Sequence, residues 1–244
     1  MRIDGRANDE LREIKVTLDY LEHPAGSCLI KFGKTEVLCA VTVENRVPPF
    51  LVGKNKGWLT AEYALLPAST KDRTQREANV GRLTGRTQEI RRFIGRSLRP
   101  IFDLNMVGER TFVIDCDVIQ ADGGTRTAAV TGAFIALSRA VNRMMDNNQF
   151  RPSPISDHVG AVSVGIVNSN FMLDLCYHED SNAEVDMNLV MTGRGKIIEV
   201  GATAEKLPIN RNEFDKLLEL ASEGIKQIIT WEKKVLGASN ARVS

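Results

Sequence analysis

Apolar and polar residues alternate with a period of two through most of the first seventy positions. Val16, Leu18 and Tyr20 alternate, and further strand-like runs cover 27–32, 35–43 and 58–65. Gly26, Gly33-Lys34, Pro48-Pro49 and Gly53 separate them, so the pattern predicts strands joined by turns and one longer loop. The period then changes. Ile90, Phe93, Ile94, Leu98 and Ile101 recur at spacings of three and four, which is one face of a helix closed near Pro100. A strand over 110–120 follows, with Phe112, Ile114, Cys116 and Val118 on one face. Asp122-Gly123-Gly124 ends it and opens an apolar helix over about 125–145.

Residues 147–156, with Pro152 and Pro154, read as a linker. Beyond it, 161–167 and 171–176 flank Asn168-Ser169-Asn170, and 183–191 and 196–202 flank Gly193-Arg194-Gly195. Both arrangements predict hairpins. A closing helix starts near Asn210, which with Glu213 resembles a capping box, and buries Phe214, Leu217, Leu218, Ala221, Ile225 and Ile228. Each half, about 1–146 and 157–244, is thus several strands followed by a long helix. No sequence repeat relates the halves. The shared plan predicts an α+β protein, one domain over 1–244 built from a duplicated unit.

With 244 residues, 43% hydrophobic and 26% charged, the composition is that of a soluble globular protein. No apolar run approaches the ~20 residues of a membrane span, and Met1 to Arg6 offers no apolar signal core. A cytoplasmic location without a membrane partner is therefore expected. Cys28, Cys39, Cys116 and Cys176 lie far apart inside apolar runs, so they read as buried thiols. His23, His158 and His178 lack zinc-motif spacing.

The net charge of +1 excludes a surface coated for nucleic acid, but the charges are sorted along the chain. Lys71, Arg73, Arg76, Arg82, Arg86, Arg91, Arg92, Arg96 and Arg99 crowd one stretch, opposed only by Asp72, Glu77 and Glu89. Asp174, Glu179, Asp180, Glu184 and Asp186 crowd another, which contains no lysine or arginine. Such a layout suits phosphate on one wall and a divalent cation on another. Gly123-Gly124-Thr125-Arg126 opens a helix, where free N–H groups and the helix dipole favour an anion; a plain turn is the alternative reading. Arg86 stands at the other helix start, and two guanidinium forks could clamp one orthophosphate. Glu184, Asp186 and Asn188 fall on the strand face opposite Val185, Met187, Leu189 and Met191, with Asp180 in the turn before. Carboxylates so placed suit Mg²⁺, with phosphate and water as further ligands; a solubilising acidic face is the alternative. Aromatic residues make up only 6%, which favours contacts to an RNA backbone over base stacking.

Four segments then carry a resemblance: Gly57 to Tyr63, Gly85 to Ile90, Asp115 to Thr127, and Glu179-Asp180 through Glu184 to Asn188. Together with Met1 to Arg6 they resemble the ribonuclease PH family of phosphorolytic exoribonucleases, over essentially the whole chain. The resemblance implies a duplicated β-α-β-α core, a homohexamer built as a trimer of dimers, and trimming of tRNA precursors and other RNA 3′ ends. It implies orthophosphate binding by Arg86, Gly124, Thr125 and Arg126. Asp180 and Asp186 become the catalytic carboxylates and the ligands of Mg²⁺ or Mn²⁺, with Asp186 also a proton donor. Arg73 and Arg76 match tRNA-contacting positions. Ala68 stands where the family normally has another such arginine, so weaker RNA binding with a smaller salt slope is expected. Val200-Gly201-Ala202 is a second departure, where the family more often has glutamine and glycine. A hydrolytic metal-dependent nuclease and a silent RNA-binding ring subunit are the competing expectations. The silent subunit would lack the arginines or the acids that this chain retains.

Overall fold

The computed structural model describes residues 2–206 and 208–237. Strands β1 (Ile14–Leu18), β2 (Gly26–Phe32), β3 (Thr35–Glu44), β4 (Trp58–Leu65) and β5 (Thr111–Gln120) form one sheet in the order β1-β2-β3-β5-β4. Neighbours are antiparallel except β4 and β5, which run parallel because the helix α2 (Gly85–Leu98) lies in the connection between them. A one-turn helix α1 (Glu77–Val80) precedes α2, and α3 (Thr125–Asp146) follows β5. The second sheet has the order β7-β6-β8-β9, from β6 (Val159–Val167), β7 (Asn170–Leu173), β8 (Val185–Thr192) and β9 (Ile197–Ala204). A short helix α4 (Tyr177–Asp180) sits between β7 and β8, and α5 (Arg211–Gly237) ends the described chain.

The layers follow from which helix is buried on both sides. α3 packs on β2, β3 and β5 on one side and on β6 on the other, so it lies between the two sheets. Val130, Phe134, Ile135, Leu137 and Val141 are fully buried. At ~1.5–3 kcal/mol for each such side chain, burial outweighs the roughly 0.5 kcal/mol that Thr127, Val130 or Thr131 each costs as a weak helix former. α2 shares that layer, touching β4 and α3, while α5 covers the outer face of β6, β7 and β8. The result is four layers, sheet, helices, sheet, helix, as expected of a β-α-β-α core.

Ile90, Phe93, Ile94, Leu98 and Ile101 are all buried, as are Phe112, Ile114, Cys116 and Val118. Both hairpins form, and Asn210 caps α5 reciprocally with Glu213: the Glu213 N–H donates to Asn210 Oδ1 at 3.0 Å, and the Asn210 N–H to Glu213 Oε2 at 2.9 Å. The four cysteines are free and buried. Some expectations need correction. Tyr20 is 52% exposed, because the chain turns at Asp19 (φ 52°) after β1. The strand expected to reach Cys176 ends at Leu173, where Asp174 adopts φ 53° and leaves the sheet. Phe214 and Leu218 lie only partly buried at the rim of the α5 contact.

The free edge of β4 is covered by cations. Arg99 Nε donates to Leu59 O at 3.0 Å and Arg91 Nε to Ala61 O at 3.4 Å. Arg99 also lies 4.5 Å over the Trp58 ring. These contacts satisfy outward carbonyls that would otherwise template another strand.

One buried pair gives the fold a pH signature. Glu232 on α5 is fully buried, with Oε2 3.4 Å from His158 Nδ1 and Oε1 without a partner among the described residues. Burial pushes the Glu232 carboxyl well above the usual range and holds His158 below its own. An acid whose folded pKa is raised opposes folding as pH climbs from its unfolded value through its folded one. Glu232→Gln should therefore raise the melting temperature at pH 8, with the gain fading toward pH 4. Calorimetry across that range checks it, and a pH-independent difference would contradict it.

Candidate functional site: an anion turn facing a carboxylate pair

The anion side is built where β5 ends and α3 begins. Gly123 (φ 75°) and Gly124 (φ 64°) reverse the chain, and no side chain caps α3, so its first N–H groups face outward. A Cβ on Gly123 would lie 2.6 Å from Leu175 O and from the Cys176 carbonyl carbon. The turn is thus pressed directly against the stretch that leads to α4. Thr35 Oγ1 holds it from the other side, donating to Gly123 O at 2.7 Å and accepting from the Asp122 N–H at 2.9 Å. Thr125 is buried, and its hydroxyl oxygen accepts from Tyr63 at 2.9 Å, which leaves its own proton free to donate. Burial raises the Tyr63 pKa, opposed by that hydrogen bond and by the charges of Arg86 and Arg126.

Arg86 is the second residue of α2, whose start is fixed by Thr84 and Glu77. Thr84 Oγ1 accepts from the Thr87 N–H at 3.1 Å, and Glu77 accepts from Thr87 Oγ1 at 2.7 Å and from the Thr84 N–H at 3.0 Å. Arg126 Nη1 lies 3.4 Å from Glu89 Oε2, so a carboxylate one turn after Arg86 ties the two helix starts together. Arg86 itself has no acidic partner among the described residues.

The acid side is the end of α4 and the start of β8. Asp186 and Asn188 share a strand face, with Asn188 Nδ2 donating to Asp186 at 3.2 Å. Asn188 is buried, so this face is not a solubilising one. Asp180 closes α4 instead of sitting in an open turn. Burial raises the Asp180 pKa, and Arg86, Arg126 and Arg12 pull it down. Burial, then the charge of Asp180, push Asp186 up to about 6, partly offset by Arg126 and the Asn188 bond. These mutual influences bring Arg86, Arg126, Asp180 and Asp186 into one neighbourhood. Glu205, exposed beyond β9, adds negative charge to both aspartates. Two desolvated carboxylates that repel each other fit one divalent cation, whose remaining ligands would be phosphate and water. Among the described residues no group of three or more His, Cys, Asp or Glu is arranged as a metal cage.

Two of the five clustered acids belong elsewhere. Glu179 Oε1 and Oε2 accept from Arg2 Nε and Nη2 at 2.8 and 2.7 Å, and Asp174 Oδ1 accepts from Arg12 Nη2 at 2.6 Å. Both pairs are buried and structural. The basic stretch divides likewise: Arg91 pairs with Glu62, Arg96 with Glu199, and Arg99 caps β4. Lys71, Arg73, Arg76, Arg82 and Arg92 form no ion pair among the described residues. Arg76, Arg82 and Arg86 line a cleft of about 1170 Å³, whose other wall includes Glu62, Asp115 and Asp117. Arg73 and Ala68 are exposed on the preceding loop and do not line it.

An uncapped helix start beside two arginines, a desolvated acid pair and a basic cleft suit phosphoryl transfer on a polyanion. Residues 10–141 and 157–224 match domains 1 and 2 of the 3′ exoribonuclease family, RNase PH type, and the chain belongs to that family. It is 52% identical over 244 residues to a ribonuclease PH of Halalkalibacterium halodurans, covering 100% of this chain and 95% of the relative. It is also 52% identical over 240 residues to that of Bacillus subtilis, covering 98% of each. Among solved structures, rice Rrp46 superposes with a TM-score of 0.78 at 19% identity, over 96% of this chain and 100% of that one. A subunit of the Archaeoglobus fulgidus exosome with RNA bound to the active site gives 0.79 at 20%, over 93% and 91%. At these identities the structures speak for the fold alone.

The turn at Gly123 has little room to change. Gly123→Ala combines a left-handed φ with a backbone overlap, so chemical denaturation should show a loss of about 3 kcal/mol. Gly195→Ala, at φ 77° with nothing within 4 Å of its Cβ, should cost only ~1 kcal/mol. Equal losses would show that the contact with 175–177 does not matter.

Proposed function

We infer that the protein is a phosphate-dependent 3′-to-5′ exoribonuclease. Orthophosphate attacks the terminal phosphodiester, the new P–O bond forms as the bond to the 3′ oxygen breaks, and a nucleoside diphosphate is released. The observation that carries this reading is the shared neighbourhood of Arg86, Arg126, Asp180 and Asp186. A hydrolase has no need of two guanidinium groups beside its acids, and a silent subunit has no need of the acids.

Arg86, Arg126 and the N–H groups of Gly124, Thr125 and Arg126 would orient the nucleophile and neutralise its charge before reaction. Arg126 would exchange its loose contact with Glu89 for the phosphate. Asp180 and Asp186 are the residues that would hold Mg²⁺ or Mn²⁺, and the ion when bound supplies positive charge for the leaving oxygen. Asp186 would also pass a proton to the leaving 3′ oxygen. Arg76 in the cleft wall and Arg73 on its approach would track the RNA backbone, with tRNA precursors as the substrate that membership of the family implies. Assembly as a homohexamer belongs to the same reading. No described helix is long and apolar enough to cross a membrane.

Nucleotide release from a tRNA with a short 3′ extension tests the site. Arg126→Ala should lower kcat/KM for orthophosphate by about 10²-fold or more, the scale of losing a preorganised donor. Asp186→Asn should stop turnover while orthophosphate still binds by calorimetry. Wild-type rates from either variant would remove that residue from the chemistry.

A further inference from the structure

The acid pair and the anion turn come from different halves of the chain, and few elements fix their separation. The N-terminal segment before β1 does so with buried arginines. Arg12 is only 5% exposed. Its Nε and Nη2 donate to the two oxygens of Asp174 at 2.9 and 2.6 Å, and its backbone N–H donates to Asp174 Oδ2 at 2.8 Å. The same guanidinium reaches the other way, with Nη1 donating to Asp122 O at 2.7 Å. A Cβ on Gly124 would lie 2.8 Å from Nη2, so the helix start rests directly on the guanidinium. Asp174 is tied to β6 through its N–H, which donates to Ser163 O at 2.7 Å. Arg2 repeats the arrangement one step further on, donating to Leu173 O at 2.8 Å, Asp174 O at 3.0 Å and both oxygens of Glu179, the residue before Asp180.

We propose that Arg12 is a positioning residue that sets the distance between the anion turn at the start of α3 and the Asp180–Asp186 pair, with Arg2 holding the α4 end of the same linkage. This rests on reading those two elements as the phosphate and acid sides of one site. A buried ion pair is a poor source of net stability, since apolar replacements often hold a fold as well. Its planar fork is a good source of geometry, because two sets of donors with a fixed angle between them meet the Asp174 carboxylate on one side and the Asp122 backbone carbonyl on the other. A lysine keeps the charge beside Asp174 and cannot span both.

The test is phosphorolysis by Arg12→Lys and Arg12→Ala, with Arg139→Ala as a control. Arg139 pairs with Asp19 at 2.6 Å, well along α3 from its start. Melting temperature, kcat and the KM for orthophosphate are measured for each. Misplacing reacting groups by about an ångström costs on the order of 10²-fold in rate. Arg12→Lys should therefore lose about that factor in kcat while its KM for orthophosphate stays within roughly threefold and its melting temperature close to that of the control. Should Arg12→Ala not fold, Arg12→Lys carries the test. A kcat within about threefold of wild type, or losses in kcat and melting temperature that match Arg139→Ala, overturns the proposal. Wild-type protein that releases no nucleoside diphosphate with orthophosphate instead overturns the reading beneath it.

Discussion

The structure depends on one helix being buried from both sides. α3 has a sheet on each face, so every residue over 127–138 is buried and its axis cannot shift without opening two cores. A helix held so firmly is a rigid mount for whatever its first turn carries. That turn emerges at the seam where Gly123 meets the backbone of 175–177. The site therefore lies where the halves touch, and neither half contains it alone.

Charge is divided by solvent access more than by sequence position. Arg2, Arg12, Asp174 and Glu179 are dry, multiply bonded and fix backbone to backbone. Arg86, Arg126, Asp180 and Asp186 are less buried and fewer of their donors and acceptors are taken, which leaves them able to meet a ligand. The raised pKa of Asp186 records this incompleteness: two carboxylates share a partly dry space with too little positive charge of their own. The arginines along β4 serve a third purpose, closing a sheet edge.

Much of this was legible in the sequence. The periods of two and 3.6 located the strands, both hairpins and α2, α3 and α5, because each element buries one continuous face. The Gly-Gly turn, Arg86, Arg126, Asp180 and Asp186 stood out because the chemistry needs those groups at element ends. Other features depend on contacts across 100 residues or more, and no local pattern shows them. The structural use of Asp174 and Glu179 is set by Arg12 and Arg2, which are 162 and 177 positions away. The short strand β7 and the exposure of Tyr20 both follow from positive-φ aspartates, which alternation does not announce. Nothing local to Tyr63 shows that its hydroxyl meets Thr125, 62 positions on.

The measurement that bears most directly on the account is a crystal structure grown with orthophosphate and Mn²⁺, using anomalous scattering to place the metal. The account predicts phosphate at the start of α3 between Arg86 and Arg126, and manganese on Asp180 and Asp186. Phosphate confined to the Arg76–Arg82 cleft, or manganese on Asp115 and Asp117, would contradict it.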